Sequence, residues 1–413
     1  MSQSKSDIAP MINGDCLNFG KKVSYHASLE PSSEVERENE PYVFLGGSCN
    51  PTTWRRDIAI PILNKLNIAY YNPQCAQWGP ELINCENEAK EGAQVLLFVI
   101  DTQTRSVASM IEAAHIAGTS KNLILVIYHL RNEGCTTVMG EKITERELQE
   151  LIQGRTYLKY LVWKKNISVF DNIPSAIEAA QVSLKNENHQ NFGVDQAKVL
   201  HVVGEKLKQQ KNVAVNLDNS NSGEISITHQ QKNSCLIKNF MHTVFQPVLQ
   251  FFDWIQPFCN YKDVYLGGSS GSWREDVAIP ILKKYGLTYG YPLEEHTCSE
   301  KFLQMERNII ERCKVLLFVI TKESRSLSQM IAAAHYIGRE SEKDKKRQIV
   351  LCIQDIEEST SIDGEKLSSQ AVKDYNRGRV YLQNIAKQAD IFLKIEEAVE
   401  KAAEYAIKYS QDS

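Results

Sequence analysis

The 413-residue sequence lacks an excess of charge of either sign, since 47 basic residues against 51 acidic ones leave a net of −4. The basic footprint that a phosphate backbone demands is missing, so no nucleic-acid partner is expected. No apolar run approaches the ~18 residues of a membrane span, and the opening MSQSKSDIAPMING lacks the apolar core of a secretory signal. Neither a membrane nor an export route is expected, which leaves the cytoplasm. The ten cysteines are scattered, with no Cys-x-x-Cys pair and no histidine at zinc-site spacing, so reduced thiols and no metal are expected. Walker, HExxH and EF-hand patterns are also missing, and no cofactor is expected.

What the chain does contain is itself, twice. WRRDIAIPIL (Trp54 to Leu63) returns as WREDVAIPIL (Trp273 to Leu282) with eight of ten positions identical, and VLLFVI (Val95 to Ile100) returns unchanged at Val315 to Ile320. The expected organisation is a flexible tail over 1–40, a first domain over 41–185, a partly packed linker over 186–261 and a second domain over 262–410. Within the linker, LIKNFMHTVFQPVLQFFDWIQPF is dense enough in aromatics to suggest a docked element.

Each copy runs through apolar strands, Gly turns and helix-like segments in alternation. Tyr42 to Leu45 and Val264 to Leu266 end in Gly-Gly-Ser, as a buried strand entering a tight turn does. VLLFVI is apolar without alternation, the pattern of a strand covered on both faces of a parallel sheet. LILVIYHL (Leu123 to Leu130) and IVLCI (Ile349 to Ile353) read as further strands, and Ser106 to Ala117 and Ser326 to Ile337 as helices. The fold expected is therefore α/β: two tandem Rossmann-like domains, each a mostly parallel sheet flanked by helices. Pro61 and Pro280 read as helix boundaries or kinks.

Ligands of such sheets bind beyond the carboxyl ends of the strands. There the first copy brings together the turn Gly46-Gly47-Ser48, the loop from Asp101 to Arg105 and the helix carrying Glu112. Glycines let backbone amides approach a ligand, although a Gly-Gly turn also serves simply to reverse the chain. Arg55 follows Trp54 and precedes Asp57 by two residues, and Arg274 is placed in the same way before Asp276. Two roles fit: bidentate grip on a 5′-phosphate, or an Arg–Asp pair capping the first helix. Gly267-Gly268-Ser269-Ser270-Gly271 matches the hydrolase elbow pattern, but the first copy breaks the pattern, which marks it as coincidence.

The ordered set FLGGS, WR, Asn72-Pro73, Trp78, the VLLFVI strand and SVASMIEAAHIAG resembles the nucleoside 2-deoxyribosyltransferase-like family, in the branch typified by the insect Raw protein. The resemblance covers both copies and implies that Glu112, in Met110-Ile111-Glu112-Ala113-Ala114, matches the family's nucleophile. It implies attack on the anomeric carbon of a nucleoside or nucleotide, a covalent glycosyl-enzyme, and release of the sugar to a second base or to water. Asp101 is the candidate proton donor to the leaving base. Gly46, Gly47, Ser48, Arg55, Asn72 and Trp78 are the candidate substrate-binding residues.

The second copy reads Met330-Ile331-Ala332-Ala333-Ala334, with Ala332 at the place of Glu112, so it is expected to be inactive and to pair with the first copy as a built-in partner. His115 is kept as His335 without the carboxylate, which favours a packing role over a catalytic one. The glycines flanking the family's nucleophile are replaced in the first copy as well. A second function therefore stands beside catalysis: an inactive nucleotide-binding or protein-interaction module in intracellular signalling.

Overall fold

A computed structural model describes residues 41–74, 82–119, 121–130, 137–186, 261–292, 300–341, 347–387 and 389–411. The expected tail over 1–40, nearly all of the expected linker, its aromatic segment and Trp78 lie outside the described residues.

The first half contains β1 (Tyr42–Gly47), α1 (Ile60–Lys65), β2 (Ala69–Tyr71), α2 (Leu82–Gly92), β3 (Val95–Ile100), α3 (Val107–Gly118) and β4 (Leu123–Ile127). A small hairpin, β5 (Thr137–Val138) and β6 (Glu141–Lys142), follows, and then α4 (Glu145–Trp163), β7 (Val169–Phe170) and α5 (Ile173–Asn186). The second half repeats the order with β8 (Lys262–Gly268), α6 (Ile279–Lys284), β9 (Tyr289–Gly290), α7 (Glu300–Glu311), β10 (Cys313–Ile320), α8 (Leu327–Ser341) and β11 (Gln348–Ile353). It closes with the hairpin β12 (Ser361–Ile362) and β13 (Glu365–Lys366), then α9 (Ser369–Ile385), β14 (Asp390–Phe392) and α10 (Ile395–Gln411). Both large sheets are parallel, ordered β2-β1-β3-β4-β7 and β9-β8-β10-β11-β14. Two Rossmann-like α/β units of one topology result. Among the described residues no helix is long and apolar enough to cross a membrane.

Strand β3 shows why an unbroken apolar run is needed. Leu96, Phe98 and Ile100 face one core, while Val95, Leu97 and Val99 face another with Ala176 and Ile177 of α5. All six are buried, each contributing on the order of 1.5–3 kcal/mol. The Tyr128-His129-Leu130 end of the expected strand is not part of β4, which stops at Ile127. Arg55–Ala59 and Arg274–Ala278 form wide π-helical turns that tighten to α-helix where Pro61 and Pro280 enter, so both prolines sit at a boundary between two helical geometries.

The largest core belongs to neither half alone. It runs from Leu96 and Phe98 through α3 and α8 to Leu316 and Phe318, so the helices on the inner face of each sheet pack against those of the other. A Cβ on Gly118 would lie 2.3 Å from the carbonyl oxygen of His335, and one on Gly338 would lie 2.2 Å from that of His115. The two backbones therefore touch where α3 crosses α8. Gly154 of α4 packs on Leu327 and Ile331, and Gly378 of α9 packs on Val107 and Ile111, the same contact made in both directions.

Ion pairs repeat this reciprocity. Buried Arg105 holds Glu141 of its own half (3.1 Å) and Asp374 of the other (3.0 Å), while Arg325 holds Glu365 of its own half (3.1 Å) and Glu150 of the other (3.6 Å). Thr144, at the start of α4, donates its hydroxyl to Glu365 at 2.7 Å, and Ser368, at the start of α9, donates to Glu141 at 2.8 Å. His335 lies at the crossing with Nδ1 3.3 Å from the carbonyl of Ala114, and burial pushes its pKa down to about 3. Burial also lowers the pKa of His115. Both imidazoles belong to the packing between the halves.

In a free helix, Ala is favoured over Gly by about 1 kcal/mol. Gly338→Ala is nevertheless expected to destabilise the protein by about 1–3 kcal/mol, because the added methyl must separate two helix backbones. Denaturant unfolding of the full chain measures this, and unchanged or increased stability would contradict the crossing.

Candidate functional site

A cavity of about 230 Å³ lies beyond the carboxyl end of β1, walled by α2, the first turns of α3, the β5–β6 hairpin and α9 of the second half. It is somewhat smaller than the ~300–1,000 Å³ of sites for drug-sized ligands. Glu112, Gly46, Gly47, Ser48 and Arg55 all line it. Asp101 and Asn72 do not, although Pro73 and Gln74 beside Asn72 do. The structure thus brings the Gly-Gly turn and Glu112 to one cavity.

The sharp turn after β1 is built to lie against β3. Gly47 has φ +103°, and a Cβ there would lie 2.2 Å from the carbonyl oxygen of Val99. The Ser48 hydroxyl, buried, meets the Ser106 hydroxyl at 2.7 Å and accepts the amide of Asp101 at 3.0 Å, tying the turn to the start of α3. Ser269 repeats this with Ser326 and the Thr321 amide, which gives the elbow-like serine a structural role.

Arg55 has a different task from either expected role. Its Nε donates to the carbonyl of Leu45 (2.9 Å), and its two terminal nitrogens donate to those of Ser48 (2.7 Å) and Gly47 (3.3 Å). Burial lowers its pKa. Arg274 donates in the same way to Leu266 (3.1 Å) and Gly268 (3.0 Å). The expected Arg–Asp cap does not form: Asp57 pairs with exposed Arg56 at 2.7 Å. With three carbonyls to hold, the Arg55 guanidinium clamps the turn.

Asp101 organises the loop that precedes α3. Its Oδ1 accepts from the Gln103 amide (3.1 Å), the Thr104 amide (3.2 Å) and the Thr104 hydroxyl (3.1 Å). Burial raises its pKa, and these bonds partly oppose the rise. Asn72 is exposed, and its Oδ1 accepts the Gln74 amide at 3.1 Å. The Gln74 side chain in turn donates to Asn50 at 2.7 Å on the cavity wall.

The groups that surround Glu112 are not among the sequence-predicted site residues. Lys90 of α2, almost fully buried, forms an ion pair with Glu112 and lies 3.8 Å from Glu86. Its ammonium donates to the Tyr381 hydroxyl of α9 at 3.4 Å and stands 5.6 Å and 5.8 Å from the ring centres of Phe44 and Tyr381. Burial, and then the charge of Glu112, holds the Tyr381 phenol well above its usual pKa, so it remains protonated. Two carboxylates and one ammonium leave the cavity wall with one net negative charge at this point.

A signal for Lys90 is present in the sequence. Ile310 stands in α7 where Lys90 stands in α2, so the second half replaces Lys90 and Glu112 together with Ile310 and Ala332, both buried. Phe44 becomes Tyr265 and Glu86 becomes Glu306. There the two oxygens of Glu306 accept from Tyr265 (2.9 Å) and from Tyr157 of the first half (3.1 Å), and burial raises its pKa. Among the described residues, no group of three or more His, Cys, Asp or Glu side chains is arranged to hold a metal.

The open parallel sheet with a polar cavity beyond its strand ends is the architecture of a small-molecule-binding α/β domain. Residues 40–130 match the family described as nucleoside 2-deoxyribosyltransferase like, a stretch that includes β1, Lys90 and Glu112. No curated protein matches the chain.

Removing either member of a buried ion pair strands the other, at a cost of about 3–5 kcal/mol, whereas apolar replacement of both is often close to neutral. Lys90→Ile and Glu112→Ala are each expected to destabilise the chain more than the double variant, which reproduces the pair found in the second half. A double-mutant cycle by chemical denaturation tests this. Additive losses would show that the two groups do not interact.

Proposed function

We propose that the first half is a nucleoside N-glycosidic transferase or hydrolase with Glu112 as nucleophile, and that the second half is an inactive copy that walls its site. The observation that carries this reading is the placement of Glu112 on a cavity shared with the Gly46-Gly47 turn, within a segment that matches the deoxyribosyltransferase-like family.

In the reaction, a Glu112 carboxylate oxygen forms a bond to the anomeric carbon as the bond from that carbon to the base nitrogen breaks, its electrons leaving with the base. An acceptor base or water then attacks the same carbon and frees the carboxylate. Positive charge develops on the sugar in the transition state of each step, and the carboxylates of Glu86 and Glu112 facing it stabilise it. Lys90 is a positioning residue that holds one carboxylate oxygen of Glu112. Glu86 lines the cavity and Asp101 does not: Asp101 shapes the loop before α3.

Neutral nucleosides are favoured over nucleotides, because the Arg55 guanidinium is engaged by backbone carbonyls and Arg105 by three carboxylates, those of Glu147, Asp374 and Glu141. The division into domains over 41–185 and 262–410, the kinship with the Raw-type branch and residence in the cytoplasm belong to the same proposal. The free thiols of Cys49, Cys85, Cys313 and Cys352 support an intracellular setting. The alternative of a binding module without catalysis is favoured by one feature, the direct neutralisation of Glu112 by Lys90.

Incubating the full chain with a panel of nucleosides and nucleoside monophosphates, with and without acceptor base, is expected to release free base from nucleosides. Glu112→Ala is expected to lower that rate by at least about a hundredfold, as loss of a covalent nucleophile does. No base release from any compound at high protein concentration would leave the binding reading.

A further inference from the structure

The two small hairpins differ at one strained position. Each turns through two residues with positive φ, Met139 (52°) and Gly140 (79°) in the first half and Asp363 (55°) and Gly364 (79°) in the second. This is the geometry of a type I′ turn, for which Asn-Gly and Asp-Gly are the favoured pairs. Asp363-Gly364 follows that preference. Methionine does not, because its Cβ crowds the following carbonyl in the left-handed region and it has no short polar side chain to bond locally.

The strained residue is also the one whose side chain reaches the ligand cavity. Met139 lines that cavity and packs, half-buried, against the core between the halves. Asp363 at the equivalent position is exposed. The hairpin cannot swing Met139 away easily: the Met139 amide donates to the carbonyl of Gln103 at 2.8 Å, and Glu141 of the same hairpin is held by Arg105 at 3.1 Å. A side chain that the turn disfavours is thus fixed against the site, the pattern in which local strain accompanies a ligand contact.

We propose that Met139 is a base-binding residue of the cavity, a thioether wall that packs on the face of a heteroaromatic base. A flexible, polarisable side chain suits that contact, since sulfur packs favourably against aromatic rings. The inference rests on the nucleoside reading given above and adds to it which residue packs on the base.

The test compares the full chain with Met139→Asp and Met139→Leu, all carrying Glu112→Gln so that binding is measured without turnover. The probes are deoxyadenosine, deoxyguanosine, deoxycytidine and thymidine, followed by calorimetric titration, with thermal unfolding of each unliganded protein. Met139→Asp, which installs the turn residue of the second half, is expected to keep or raise Tm while weakening the bound nucleosides by about tenfold. Met139→Leu, equally strained but apolar, is expected to stay within about threefold. Equal affinity of the nucleosides for the Met139 chain and for Met139→Asp would overturn the inference alone, and so would a fall in Tm for Met139→Asp. Failure of all four nucleosides to bind the Met139 chain would overturn the nucleoside reading and this inference with it.

Discussion

The contact between α3 and α8 at Gly118 and Gly338 governs the rest of the structure. Because no side chain separates the two backbones there, both helices are enclosed between the sheets, and a single core extends from β3 to β10. A residue on α3 that would face solvent in an isolated domain instead faces the other half. This is how Glu112 comes to lie inside the protein, and how α9 becomes a wall of a cavity whose floor is made by β1. The reciprocal pairs of Arg105 with Asp374 and Arg325 with Glu150 hold the same arrangement at its periphery.

Enclosure imposes an electrostatic condition, since a carboxylate removed from water needs a compensating partner. The two halves meet that condition in opposite ways. The first keeps Glu112 and provides Lys90, itself flanked by Phe44 and Tyr381. The second removes both charges and closes tyrosines onto the one carboxylate that is left, Glu306. Equivalent backbones therefore carry different chemistry: a charged cavity wall in one half, and a satisfied hydrogen-bond cluster in the other.

Much of the fold is legible in the sequence because it depends on local rules. VLLFVI is a strand covered on both faces, the Gly-Gly-Ser turns follow β1 and β8, and Pro61 and Pro280 mark the starts of helices. The strand ending at Ile127 is three residues shorter than its sequence suggests, since Tyr128-His129-Leu130 continues the apolar pattern past the last ladder partner. The site is legible only in part. Glu112 and the turn stand out, but Arg55 reads as a ligand group when the carbonyls of its own turn claim it, a demand that no side-chain pattern reveals. Lys90 escapes notice because a lysine on a helix is ordinarily solvated. The paired change of Lys90 and Glu112 to Ile310 and Ala332 is the available clue. Tyr381 lies far along the chain from Glu112, and only the packing of the halves brings it near.

The proposed chemistry depends most on Glu112 acting as a covalent nucleophile, and direct trapping tests that claim. Nucleosides bearing a 2-fluoro substituent on the sugar disfavour positive charge at the anomeric carbon, which slows release of a glycosyl-enzyme. Incubation of the full chain with such a compound, followed by intact and peptide mass spectrometry, is expected to show one added fluorosugar, located on the peptide that contains Glu112. An unmodified chain, or a sugar attached at any other residue, would contradict a nucleophilic Glu112.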